Sequence, residues 1–330
     1  MALPPRESGK YIAERAKHIS IVEEGVDALA DLLVEEYKAG RLGSENFYEC
    51  SLHPHPNDPQ ALNWLIVVDT LNFCFWHDES EEGWKVEGHT GYFALCAAIT
   101  RARKEEPEFL NPAYYAAISE LQLKKILRSD TKSQCPLITE RVKCLQEVGN
   151  VLNEKFQGSF ENVVKESNRS AVKLMNLVVD NFPCFRDEAT FQGQKVSFYK
   201  RAQILVGDIW ACFRSKGIGY FEDIYEITAF ADYRVPQSLM WHGILKYSAQ
   251  LNEVLNSNVV LENGDEREVE IRGCCIHAVE LLKERVNKNL GKLRVTSIVI
   301  DHWLWKFRRD HSKQVLKRKI PFHKTFSIYY

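Results

Sequence analysis

Apolar residues recur at three- and four-residue intervals down most of this chain, and that spacing restricts the fold more than any other feature. Val26, Leu29, Ala30 and Leu33 fall at i, i+3, i+4 and i+7; Ile138, Val142, Leu145, Val148 and Leu152 continue the theme between residues 137 and 156. Such spacing lays one apolar stripe along a helix. Further helical stretches are expected at 92–103, 171–179, 202–213, 276–286 and 298–307. Ser20-Ile-Val-Glu23 has the form of a capping box opening the first of the striped helices. Asn111-Pro112 reads as an N-cap with proline at the first helical position. Residues 61–76 are too continuously apolar for a surface element and are expected to be buried.

Strand signals are few. Residues 77–90 are polar with two glycines and read as a hairpin or exposed loop, and Phe191-Gln-Gly-Gln-Lys195 as a hairpin turn. His53 to Pro59 holds three prolines in seven residues and cannot be helical. Lys216-Gly-Ile-Gly219 breaks a helix. The expected fold is mainly α with minor β-hairpin elements, a compact unit of about ten helices with no solenoid repeat. No linker divides it. The chain is read as a single domain over 1–330, subdivided at most into an N-terminal lobe, 1–135, and a C-terminal lobe, 136–330, enclosing the site.

Composition excludes several functions. Lys plus Arg is 43 and Asp plus Glu is 45, a net charge of −2, so bulk phosphate-backbone binding lacks its basic face. The one basic run, Lys313 to Lys319, is short. The amino terminus has no apolar core of a signal peptide, and the longest apolar run, Leu62 to Val68, is far short of a membrane span. The nine cysteines are odd in number and form no C-x-x-C, which fits reduced thiols in a cytoplasmic protein, nuclear presence included. His53 and His55 flank Pro54 without a second pair at ligand spacing, so no metal site is expected. Glycine-rich nucleotide loops, Gly-x-Ser-x-Gly and His-Glu-x-x-His are all absent, and no cofactor is expected.

Three carboxylates remain among aromatic and apolar neighbours: Asp69, Asp232 and Asp301. The bland reading of each is a helix cap or buried ion pair. The sharper one is a carboxylate facing a substrate in a partly dry cleft, where its charge acts strongly. Pro236 disfavours helix just before it, which sets Asp232 at a helix edge or turn.

The stretches Pro5-Arg-Glu-Ser8, Asn63-Trp64, Asp69-Thr-Leu-Asn-Phe73, Ile126-Leu-Arg-Ser-Asp-Thr131, Val196 to Val206, Phe230-Ala-Asp-Tyr-Arg-Val-Pro-Gln237, Glu268-Val-Glu-Ile-Arg-Gly-Cys274 and the terminal Ile328-Tyr-Tyr330 make the sequence recognisable. Over nearly its whole length it resembles the queuosine salvage family of queuosine 5′-phosphate N-glycohydrolases. Cys275 and the 306–309 segment read as ordinary variation. The resemblance implies an all-α core related to helix-hairpin-helix DNA glycosylases. It also implies hydrolysis of the N-glycosidic bond to give queuine and ribose 5-phosphate for return to tRNA. It places the catalytic carboxylate on Asp232 and queuine contacts on His53, Ala231, Asp232, Asp301, Trp305 and Asp310. Lys200, Arg201 and Arg234, near Asp232 in sequence, are candidates for the phosphate and ribose, against the reading that each is a solvated surface charge. Asp301 and Trp305 share a helix face. Asp310 would point away from both on a straight helix, so its contact requires the helix to end near residue 309. Two rivals stand: a nucleic-acid base glycosylase, and a non-enzymatic queuine-binding protein. A monomer with no stable nucleic-acid or membrane partner is expected.

Overall fold

The computed structural model describes residues 2–43, 47, 50–77, 82–293 and 295–330. In chain order its helices begin with α1 (Pro5–Ala13), α2 (Glu23–Lys38), α3 (Ala61–Leu71), α4 (Tyr92–Glu105) and α5 (Pro112–Tyr115). Next come α6 (Glu120–Ile126), α7 (Ile138–Lys155), α8 (Phe160–Glu166), α9 (Ala171–Asn181) and α10 (Lys200–Cys212). The last five are α11 (Val235–Trp241), α12 (Ala249–Asn256), α13 (Glu266–Leu290), α14 (Ser297–Asp310) and α15 (Ser312–Lys317). Three antiparallel pairs supply the strands: β1 (Ile19–Ile21) with β6 (Leu245–Tyr247), β2 (Lys85–Val86) with β3 (His89–Thr90), and β4 (Glu188–Phe191) with β5 (Gln194–Ser197).

The mainly α architecture is as expected, but the described residues hold fifteen helices, not ten. The five of seven residues or fewer carry too little of an apolar stripe to be read. The β2–β3 hairpin lies in the stretch expected to turn; residues 78–81 of that stretch lie outside the described residues. The β4–β5 turn is made by Gln192 and Gly193, both at positive φ (46° and 83°), the geometry of a tight hairpin.

The chain divides into two compact units. The first comprises Met1–Ser44, Asp187–Gln203 and Tyr225–Phe326, and the second Glu45–Arg186, Ile204–Ile224 and Ser327–Tyr330.

In the first unit α13 is the central element, and α1, α2 and α14 pack on it. Its contact with α1 is close because glycines meet there. A Cβ on Gly273 would come within 2.5 Å of Ile12 Cδ1, and one on Gly9 within 2.8 Å of Ile276 Cγ2. Only a hydrogen fits at either position. Sequence periodicity finds just the second half of α13, because its first turns carry buried charges: Glu268, Glu270 and Arg272 interrupt the apolar pattern while facing inward. Glu270 accepts from the backbone N of Lys17 and of His18 at 2.9 and 2.8 Å and so steers the chain into β1. Ser20 lies in β1, opposite Lys246, and the capping box is not formed. Helix α2 starts at Glu23 with Val22 as its cap and no side-chain hydrogen bond, because pairing of Ser20 with β6 holds it in extended backbone.

In the second unit the apolar stretch is buried as expected, from Trp64 to Cys74 and again at Trp76, and its helix α3 ends at Leu71. Buried Arg141 of α7 explains that end. Its guanidinium donates to the carbonyls of Pro136, Phe73 and Leu71, taking up the orphan carbonyl at the C-terminus of α3. Asn111 caps α5 through Ala113 N as expected. None of the nine cysteines forms a disulfide. Among the described residues no helix is long and apolar enough to cross a membrane.

Candidate functional site

Asp232 occupies the turn that opens α11, as Pro236 implied. Its Oδ1 accepts from the backbone N of Arg234 at 2.8 Å and of Val235 at 2.7 Å. Pro236 follows in the first helical turn, where its missing N–H is not needed. The two amides fix the carboxylate plane, and Oδ2 accepts no hydrogen bond among the described residues. The helix-cap and substrate-facing readings therefore apply to different oxygens of one side chain, which is 9% exposed.

The peptide before Asp232 is held equally firmly. The carbonyl of buried Ala231 accepts from Arg272 Nε at 2.9 Å. Arg272 is itself clamped by Asp187, with bonds of 2.9 and 2.6 Å, and lies 4.1 Å over the ring of Phe198. Asp187 also receives the backbone N of Lys200 at 3.1 Å. A satisfied buried ionic group of this kind sets geometry more than it adds stability.

Asp301, on the buried face of α14, is 3% exposed, and its Oδ2 accepts from Phe230 N at 3.1 Å. Burial pushes its carboxyl well above the usual range. The neighbouring charge of Asp232 pushes the same way, against the Phe230 amide and the Lys200 cation. Asp301 therefore favours its neutral, donating form. Helix α14 is locked to α11 by Ser238 Oγ, which donates to the Leu304 carbonyl at 2.6 Å.

Trp305, one turn beyond Asp301, is half-buried with the Arg309 guanidinium 5.0 Å over its ring. Helix α14 ends at Asp310, but this side chain is exposed and pairs with Lys306 at 2.6 Å. The structure thus brings Asp232, Ala231, Asp301 and Trp305 into one region of the first unit and leaves Asp310 on the opposite side of its helix. Lys200 and Arg201 are not solvated charges: they are 6% and 1% exposed, folded in by the first turn of α10. The charge of Lys200 acts on Asp301, whereas Arg234 lies with Arg308 and Arg309.

His53 belongs to the second unit. Its Nδ1 lies 2.7 Å from the Phe47 carbonyl, which can only accept, so Nδ1 carries the proton. Its Nε2 lies 3.0 Å from Tyr92 Oη and receives that hydroxyl. Burial lowers its pKa to about 4, so the ring is neutral. Phe47, Trp64, Tyr92 and Phe93 surround it. Asp69 is fully buried on α3, and its charge acts on Tyr92 together with that of Asp208.

Sequence reasoning missed Arg272, Asp187, Gln237, Arg308 and Asp208. Arg272 and Gln237 lay inside the quoted stretches. Their signal, a long polar side chain within an apolar run, was readable as buried polar structure but not as a partner of Asp232. Among the described residues no cluster of three or more His, Cys, Asp or Glu is placed to hold a metal ion.

Fold and site define a mainly helical protein whose centre is a carboxylate fixed on one oxygen and open on the other, beside a second, neutral-leaning acid. The chain belongs to the queuosine salvage protein family, whose pattern it matches over residues 52–330. It is 44% identical to a Mus musculus protein named queuosine 5′-phosphate N-glycosylase/hydrolase, over 99% of both chains. It is 42% identical to a Nematostella vectensis protein of that name, over 99% of this chain and 98% of the relative. A Schizosaccharomyces pombe protein, also so named, is 33% identical over 98% and 99%.

Proposed function

We propose that this chain hydrolyses the N-glycosidic bond of queuosine 5′-phosphate, releasing queuine and ribose 5-phosphate and so returning queuine to tRNA modification. Family membership and the names of its full-length relatives support the activity. The observation that carries the mechanism is the division of labour within Asp232, one oxygen held by two amides and the other left for a substrate.

N-glycoside cleavage builds positive charge at C1′ while the base departs. Asp232 Oδ2 stabilises that charge and steers the attacking water, and its pinned plane costs no reorganisation as the charge develops. The base is a 7-deazaguanine without an N7 to protonate, so help for the leaving group must come from the rest of the ring. Asp301, favouring its neutral form, can donate a hydrogen bond to the guanine-like edge. Trp305 offers a stacking face. His53 and Ala231 are the further contacts in this reading, Ala231 through the backbone that Arg272 holds. The Asp310 contact that the resemblance implies, to the cationic aminomethyl arm, would require this side chain to leave Lys306. The reaction as read needs no metal or organic cofactor. We read the chain as one glycosylase-like domain of a cytoplasmic monomer, akin to the helix-hairpin-helix DNA glycosylases, with the Lys216–Gly219 turn after α10 in the hairpin position.

The test is Asp232→Asn. Asparagine keeps the Oδ1 acceptor for Arg234 N and Val235 N, so fold and substrate binding should persist. Hydrolysis of queuosine 5′-phosphate should fall by roughly a hundred- to a thousandfold or more. Near-wild-type turnover would remove Asp232 from the mechanism.

A further inference from the structure

We propose that Arg234, Arg308 and Arg309 form the clamp for the terminal phosphate of the substrate, one ribose away from Asp232. This rests on the reading above that the substrate is a nucleoside 5′-monophosphate; of the candidates read from the sequence it keeps Arg234 and replaces Lys200 and Arg201 by Arg308 and Arg309.

Gln237 organises the clamp. It is 2% exposed, and its amide nitrogen donates to the Ile320 carbonyl at 2.7 Å, which fixes which way the amide faces. Its Oε1 accepts from Arg308 Nε at 3.0 Å and Arg234 Nη1 at 3.3 Å. Two guanidiniums converge on one neutral oxygen, and neither has a carboxylate partner among the described residues. Arg309 adds a third cation. The aromatic faces hold the guanidinium planes: Arg234 lies 4.9 Å over Tyr233 and 4.6 Å over Phe322, and Arg309 lies over Trp305. Stacking on rings fixes the guanidinium planes, the arrangement in which arginine recognises an oxyanion edge-on.

The cations strain against one another. Burial first, then the charge of Arg234, lowers Arg308 to about 10 and lowers Arg309 as well. The charges of Asp232 on Arg308 and of Asp310 on Arg309 act the other way but come after burial and Arg234, so like charge is concentrated here and a dianion would relieve it. Complementing the C-terminal dipole of α14 is the simpler role for cations there, but it does not explain why Arg308 is held against Gln237 of another helix. Proximity to the chemistry is direct. Asp232 is bonded to the backbone of Arg234, and its charge acts on Arg308. A monoester, with three terminal oxygens and up to two charges, suits three guanidiniums better than the diester of a nucleic-acid backbone. Lys200, whose charge acts on Asp301, belongs to the sugar and base end in this proposal.

The experiment uses the full chain with Arg308→Gln, Arg309→Gln and the double variant. Arg285→Gln, in a surface pair with Glu23 and Asp27, serves as control. Binding of ribose 5-phosphate is measured by calorimetry, alongside steady-state kinetics on queuosine 5′-phosphate. The clamp predicts that KM and the ribose 5-phosphate Kd rise roughly ten- to a hundredfold per arginine while kcat changes little. Arg308→Lys, which keeps the charge but not the fork, should be intermediate and covers the case in which glutamine unfolds the site. Folded double variants with wild-type KM and Kd would overturn the clamp. A wild-type protein that binds ribose 5-phosphate through these arginines but does not cleave queuosine 5′-phosphate would keep the clamp and sink the substrate reading.

Discussion

Asp301 and Asp232 are two acids whose surroundings separate their roles. Asp232 is anchored by two backbone amides, whereas Asp301 is deeply buried with one amide and a neighbouring negative charge. An acid held toward its neutral form beside the pinned carboxylate is an arrangement that acid–base chemistry can use. If neutral Asp301 assists the departing base, kcat/KM should fall as pH rises through its elevated pKa, because the donor is lost. Asp301→Asn, neutral at every pH, should lack that alkaline limb. Profiles of the two proteins measured side by side decide the point, and an identical limb in the asparagine variant would assign it to another group.

At the scale of elements, α13 sets the positions of both flanking helices and of Ala231. Gly273 and Arg272 are consecutive on it, one admitting α1 and the other holding the peptide before Asp232. Gly273→Ala drives a Cβ into Ile12 and should cost about 1–3 kcal/mol in chemical denaturation. The combination with Ile12→Ala should lose less than the sum of the single effects, because the clash is shared. Purely additive losses would mean that the glycine is not a contact requirement. The long striped helices and the turn at Asp232 were legible because period and proline act locally. The first turns of α13 were not, since Glu268, Glu270 and Arg272 are buried charges and the partners of Glu270 and Arg272 come from distant segments. The capping-box pattern at Ser20 lost to strand pairing with β6, which no local signal reports. Of the proposed site, Asp232 and Asp301 stood out as carboxylates among aromatic and apolar neighbours, the family resemblance gave them and Trp305 their roles, and helix spacing put Asp301 and Trp305 on one face. The arginine cluster needed the packing of α11 on α14, which spacing along one helix cannot give.

The whole molecule carries its own pH signature. Burial lowers His53 and His242 to about 4 and His323 to about 3, so the unfolded chain binds more protons between those values and the ordinary histidine pKa near 6.5. Their stability contribution is fully present above about 6.5 and is lost as pH falls toward 4. Asp301 works the other way: its raised pKa favours the folded state at low pH and is lost as pH rises through it. Three histidines outweigh one acid, so the midpoint of urea unfolding should drop as pH falls from 6.5 to 4. A flat profile there would show that these rings are solvated in the folded protein.

Net charge belongs to the same scale and bears on the substrate. A net charge of −2 argues against bulk binding of a nucleic-acid backbone, and the proposed arginine clamp would suit a single phosphate. The most direct test of the account is a competition in one vessel: purified protein, queuosine 5′-phosphate and an equal amount of queuosine-containing tRNA, with released queuine followed from each. Rapid release from the monophosphate with the tRNA intact is the predicted result. Release from tRNA at a comparable rate, or none from either, would contradict it.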